Sequence, residues 1–124
     1  MLKGVETVIY YTKDLKAATK WYKETFNLKP NHESSHYVGF TVCGYELGLH
    51  PLDANDALPE GKHQTAYWTV ADLKESLLHL TKNGAKIHHD IMDVGGGVQF
   101  AEVLDPFGNI FGIIQNPTSP NNKN

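Results

Sequence analysis

Cysteine is almost missing from this chain: Cys43 is the only one among 124 residues. An intrachain disulfide is therefore excluded, and a reducing, cytoplasmic setting is expected. Cys43 has no basic neighbour in sequence to lower its pKa, so it reads as chemically inert. Long apolar runs are missing too. None approaches the ~20 residues that a membrane-crossing helix needs, so no membrane partner is expected. Charge of one sign is not in excess either. The formal net charge is −3 and no basic stripe stands out, which argues against nucleic acid as a partner. Met1-Leu2-Lys3-Gly4 leads straight into a strand-like segment, so no signal peptide is expected. No Ser/His/Asp spacing stands out, and the order of elements leaves no place for a nucleophile elbow. Gly95-Gly96-Gly97 precedes no helix and is not a phosphate loop; a mobile turn is the simpler reading.

What is present suits an ordinary soluble α+β domain with a real core. The chain is 40% hydrophobic and 20% charged. Residues 5–12 are rich in β-branched and aromatic side chains and read as a strand. Asp14 follows as an N-cap. Leu15, Ala18, Trp21, Tyr22 and Phe26 then recur at helical spacing. Strands are expected from His36 to Val42 and from Tyr45 to His50, with a turn at Cys43-Gly44, and Leu28 to Glu33 can supply a short fourth strand. Residues 51–62 form a turn-rich link. The order then repeats: a strand from Gln64 to Val70, Asp72 as N-cap, and a helix carrying Leu73, Leu77 and Leu80 that ends at Asn83-Gly84. Strands follow at Lys86 to Ile91, Val98 to Leu104 and Ile110 to Gln115. Asp105-Pro106-Phe107-Gly108-Asn109 turns the last hairpin. Residues 1–116 thus form one domain of two modules, about 4–50 and 63–116, and 117–124 are expected as a disordered tail.

The halves overlay at constant offsets. Thr7 meets Thr65, Tyr10 meets Trp68 and Asp14-Leu15-Lys16 meets Asp72-Leu73-Lys74. Farther on, Gly44-Tyr45-Glu46-Leu47-Gly48-Leu49 meets Gly108-Asn109-Ile110-Phe111-Gly112-Ile113. An internal duplication is the reading that explains both the order and the matching helix starts.

The strand–Asp-Leu–helix pattern resembles the vicinal oxygen chelate superfamily, as do Trp21-Tyr22, the second copy at Val70-Ala71-Asp72-Leu73, and the Asp105-Pro106-Phe107-Gly108-Asn109 turn before a last strand. That superfamily includes glyoxalase I, bleomycin-resistance proteins, fosfomycin-resistance enzymes and extradiol dioxygenases. The resemblance implies paired βαβββ modules whose curved mixed sheets surround a cleft, and commonly a homodimer. It places the usual metal ligands at Thr7 and Thr65 in the first strands and at Gly48 and Gly112 in the last strands. Thr is a poor ligand and Gly offers no side chain, so no metal or other cofactor is expected. His63 is the best substitute ligand, set against its reading as an exposed loop residue. His88-His89 reads as solvated surface, because neighbouring strand residues diverge. His32 and His36 sit in a loop-like segment.

By the resemblance, the face carrying Gly48 and His50 lines the cleft, and Glu102 lies at a place that often meets substrate. Thr7, Ile9 and Tyr11, with Thr65, Tyr67 and Thr69, share that face. Val8, Tyr10, Ala66 and Trp68 are assigned to the helix side. The expected ligand-binding set is therefore Thr7, Ile9, Tyr11, Gly48, His50, Thr65, Tyr67, Glu102 and Gly112. Hydroxyls in an apolar setting suit a small amphipathic compound. Two functions stay open. One is a metal-free binding protein of the bleomycin-resistance type. The other is an enzyme (lyase, isomerase or dioxygenase) with displaced metal ligands, or with metal-free acid–base catalysis by His50 and Glu102.

Overall fold

The computed structural model describes residues 1, 3, 5–52 and 65–122. His63 lies outside the described residues. The chain divides into two compact units, Met1–Gly61 and Lys62–Asn124, here called unit 1 and unit 2. Unit 1 runs β1 (Thr7–Thr12), α1 (Leu15–Phe26), β2 (Pro30–Glu33), β3 (Val38–Val42) and β4 (Tyr45–Pro51). Unit 2 runs β5 (Tyr67–Thr69), α2 (Leu73–Lys82), β6 (Lys86–Gly95), β7 (Val98–Leu104) and β8 (Ile110–Gln115). Each sheet has the same order, β1-β4-β3-β2 and β5-β8-β7-β6. In each, the first strand lies parallel to the last and the other pairs are antiparallel. Both units are therefore the βαβββ modules read from the sequence. Among the described residues no helix is long and apolar enough to cross a membrane.

The helices start where side-chain oxygens can satisfy open backbone donors. Asp14 accepts from the Ala17 N–H at 3.0 Å, and Asp72 accepts from the Glu75 N–H at 3.0 Å. Each helix then buries one stripe. In α1 the fully covered residues are Ala18, Thr19, Tyr22 and Thr25, while Leu15, Trp21 and Phe26 flank them at half burial. Trp21 packs edge-on against Tyr22 and Phe26 at ring separations of 4.9 and 5.7 Å. Tyr10 of β1 stacks on Tyr22 at 5.9 Å, which fixes the helix side of that strand. In α2, Leu73, Leu77 and Leu80 are buried as the spacing requires. Trp68 of β5 stacks on the buried Phe111 at 6.3 Å.

Turns follow local chemistry. Cys43 and Gly44 both take positive φ, 48° and 88°, the geometry that matches a two-residue hairpin to strand twist. Gly96-Gly97 reverses the chain between β6 and β7. Two strand expectations need correction. β5 begins at Tyr67, so Thr65 precedes it, and β6 runs on past Ile91 to Gly95 with register shifts along its length. The fourth strand of unit 1 is Pro30–Glu33. The segment expected as a tail includes a 3₁₀ turn, Pro120–Asn122, whose Asn121 Nδ2 donates to Thr69 Oγ1 at 3.1 Å.

Asp105 holds the last hairpin from inside. It is only 4% exposed. Its Oδ1 accepts from the backbone N–H groups of Phe107 and Asn109 at 2.9 and 2.8 Å, and its Oδ2 accepts from Asn109 Nδ2 at 2.9 Å. Asp105→Ala leaves these donors without their acceptor and should lower stability by about 3 kcal/mol. Asp14→Ala removes one exposed cap and should lower it by about 1 kcal/mol. Urea unfolding of the two variants checks the ranking; equal losses would contradict it.

Candidate functional site

In unit 1 the residues that alternate with the buried ones present an open face. Thr7, Ile9 and Tyr11 stand opposite Glu46, Gly48 and His50 in unbroken parallel register. Without a bulge before Pro51, His50 stays on the face of Gly48. Its exposed ring packs edge-on to Tyr11 at 5.7 Å, and its Nδ1 lies 2.8 Å from the Pro51 carbonyl oxygen. Thr7 Oγ1 donates to Glu46 Oε1 at 3.1 Å. The hydroxyl of Tyr37, which lies just before β3, donates to the same oxygen. The Tyr37 ring covers Gly48 so closely that a Cβ there would fall 2.1 Å from the phenol oxygen and 2.7 Å from Cζ. His32 of β2 flanks Tyr37, with ring centres 6.1 Å apart.

Unit 2 arrives at a similar contact. Tyr67, Gly112, Glu102 and His89 form one row across β5, β8, β7 and β6. The Tyr67 ring leans over Gly112, where a Cβ would lie 2.5 Å from Tyr67 Cδ1 and 2.6 Å from the Ala66 carbonyl oxygen. The Tyr67 hydroxyl donates to Glu102 Oε2. Phe100, two residues before Glu102 and on the same face, meets Tyr67 edge-on at 5.6 Å and stacks on His89 at 5.2 Å. His88 Nε2 lies 3.9 Å from Glu102 Oε1. The expectation that the two histidine rings diverge assumed an unbroken strand. The register shift between Ile87 and His89 breaks the alternation, and each ring meets a residue of the Glu102–Phe100 face.

The phenols are held in their protonated form. Burial, then the hydrogen bond to Glu102, pushes Tyr67 from 10.0 up to about 12. Burial and the bond to Glu46 raise Tyr37 as well, against a smaller opposing effect of Thr7.

Of the residues expected from the sequence, unit 1 brings together Thr7, Ile9, Tyr11, Gly48 and His50. Unit 2 brings together Tyr67, Glu102 and Gly112. Thr65 stands before β5 and joins no contact of that group. The His50–Glu102 pair would join residues of different units. Within its own unit His50 meets Tyr11, and Glu102 meets Tyr67 and His88. Sequence reading passed over Tyr37 and Phe100 and assigned His88 and His89 to solvated surface. Strand parity alone could have found Phe100, since it shares the parity of Glu102. A separate groove of about 860 Å³ runs beside α1, lined by Lys13, Lys16, Lys20 and Lys23 together with Asp14, Glu24 and Glu33; none of the face residues above borders it.

The four places where the resemblance puts metal ligands do not fit a divalent cation. Gly48 and Gly112 bring no donor atom, and tyrosine rings fill the space where one would project. Among the described residues no three His, Cys, Asp or Glu side chains gather in a way that could hold a metal ion.

Residues 4–113 match the family model described as the Glyoxalase/Bleomycin resistance protein/Dioxygenase superfamily. No curated protein resembles the sequence closely enough to count as a match. Solved structures do. A glyoxalase-related enzyme from Fulvimarina pelagi superposes with a TM-score of 0.76 at 20% identity, over 96% of this chain and 92% of that one. The fosfomycin resistance protein FosX from Listeria monocytogenes gives 0.76 at 17%, over 95% and 97%. Lactoylglutathione lyase from Agrobacterium tumefaciens gives 0.68 at 20%, over 92% and 94%. At these identities the likeness is one of fold.

The two glycines respond differently to a methyl group. At Gly48 the obstacle is a side chain, so Gly48→Ala should destabilise by about 1–3 kcal/mol and the Tyr37→Leu background should relieve most of it. At Gly112 the Ala66 backbone also obstructs, so Tyr67→Leu should not rescue Gly112→Ala. Thermal unfolding of the four variants decides; equal rescue at both sites would be wrong for this geometry. In an ultraviolet titration, a phenol ionising near the Tyr67 value of about 12 should vanish in Tyr67→Phe. Since the folded pKa is raised, the stability linked to this proton is present below the ordinary 10.0 and lost as pH rises through about 12.

Proposed function

The chain belongs to the Glyoxalase/Bleomycin resistance protein/Dioxygenase superfamily, and from that premise we propose that it binds a small amphipathic compound on its open sheet faces without a metal ion. One observation carries the reading: a tyrosine covers the central glycine of the last strand in each unit, with its hydroxyl committed to a glutamate. The same contact that removes room for a ligating side chain builds a surface of ring faces, hydroxyls and a carboxylate. Such a surface suits a ligand with an apolar body and a few polar groups. The bleomycin-resistance branch of the family name fits a protein that holds a compound. The lyase and FosX names belong to enzymes, so a catalytic reading also has relatives behind it.

That second reading has one observation of its own. Glu102 stands between a phenol that donates to it and an imidazole 3.9 Å away. Groups of these types move protons in metal-free acid–base catalysis.

Both readings share a test against metal. Protein purified without chelators should contain no stoichiometric divalent ion. Zinc, nickel or manganese should leave its melting temperature nearly unchanged. A native-state ion at about a hundredfold excess over its Kd would stabilise by about 2.7 kcal/mol, a rise of roughly 10 °C for a domain of this size. One tightly held ion per chain would overturn the metal-independent reading.

A further inference from the structure

The unit 2 face carries a carboxylate beside a row of aromatic groups, and that combination selects a sign of charge. Glu102 is 15% exposed, so it is partly withdrawn from water. An ionised carboxylate has about four acceptor sites. One Glu102 oxygen accepts from the neutral Tyr67 hydroxyl. The other faces His88 Nε2 at 3.9 Å, too far for a hydrogen bond. Among the described residues His88 is the only basic group within ion-pair range of Glu102. Within hydrogen-bond reach, then, the carboxylate has one neutral donor and no cation among the described residues.

Three rings share its face. Tyr67 is 41% exposed and meets Phe100 edge-on, and Phe100 stacks on His89. Ring faces present negative potential, and an ammonium within about 6 Å of a ring centre is attracted to it. An anion would meet both the carboxylate and the ring faces with the wrong sign. A neutral ligand would gain contact area and leave the carboxylate unanswered.

We propose that the open face of unit 2 binds a small organic cation, an ammonium group on an aromatic or alkyl body, with Glu102 as counter-charge and Tyr67, Phe100 and His89 as the rings of that face. This rests on the reading that the open sheet faces carry the ligand, and it adds the ligand's chemical class.

The test uses three probes of one shape: benzylammonium, benzyl alcohol and benzoate. Each is titrated into the full chain at about pH 8, above the ordinary imidazole range, and followed by heteronuclear NMR. Benzylammonium should bind most tightly, with shifts centred on Tyr67, His89, Phe100 and Glu102. Glu102→Gln keeps an acceptor for Tyr67 and should weaken benzylammonium about tenfold while leaving benzyl alcohol nearly unaffected. Phe100→Leu, a change that preserves bulk, should weaken benzylammonium and benzyl alcohol alike. Failure of benzylammonium to bind here overturns the inference, as does benzoate binding as tightly, or a preference that survives Glu102→Gln. If benzyl alcohol still binds this face in those cases, the broader binding reading stands and only the ligand class falls. If none of the three touches the face while zinc raises the melting temperature, both fall.

Discussion

A missing Cβ in the middle of the last strand sets the terms for each open face. Gly48 and Gly112 leave a stretch of backbone uncovered, and a tyrosine ring lies down on it. Once the ring is there, its hydroxyl must find a partner, because a partly covered phenol without one is costly. A glutamate supplies the acceptor in both units. The glutamate is in turn held in place, and the groups around it acquire a fixed charge to face. The chemistry available on each sheet descends from that one packing contact.

The two units reach it with residues that do not correspond. In unit 1 the ring comes from Tyr37, before β3, and the carboxylate from Glu46 on the last strand itself. In unit 2 the ring comes from β5 and the carboxylate from β7. The framework repeats and the fittings do not. Shared requirements at the helix starts and the parallel first-to-last pairing keep the framework alike. The space beside each glycine demands only a flat apolar body with a donor at its end. Many positions can supply that, so the halves were free to fill it from different strands.

The same distinction explains what could be read from the chain. Asp14, Asp72, Cys43-Gly44 and the Asp105 turn act through partners a few residues away, so their pattern is written locally. The alternation counted in β1 and β4 survives because their register is continuous. The site eluded reading where its partners are distant in sequence or its register breaks. Tyr67 and Glu102 are 35 residues apart, and nothing near either announces the other. Tyr37 reads as the start of a strand until the pairing of β3 with β4 lays it over Gly48. His88 and His89 look divergent until a register shift in β6 turns them toward one face.

The unlike fittings also divide the work of the two faces. In unit 1 a single oxygen of Glu46 accepts from both Thr7 and Tyr37. Two neutral donors meet that charge directly. In unit 2 Glu102 has one neutral donor and an imidazole beyond hydrogen-bond reach, on a face it shares with three rings in mutual contact. A charge answered by its own neighbours has little left for a visitor, whereas one answered by a single phenol still attracts an opposite charge. His88 Nε2 stands 3.9 Å from the other oxygen, which leaves that oxygen open to a closer donor. The carboxylate on the unit 2 face, and not its counterpart in unit 1, is therefore the group with acceptor capacity left over.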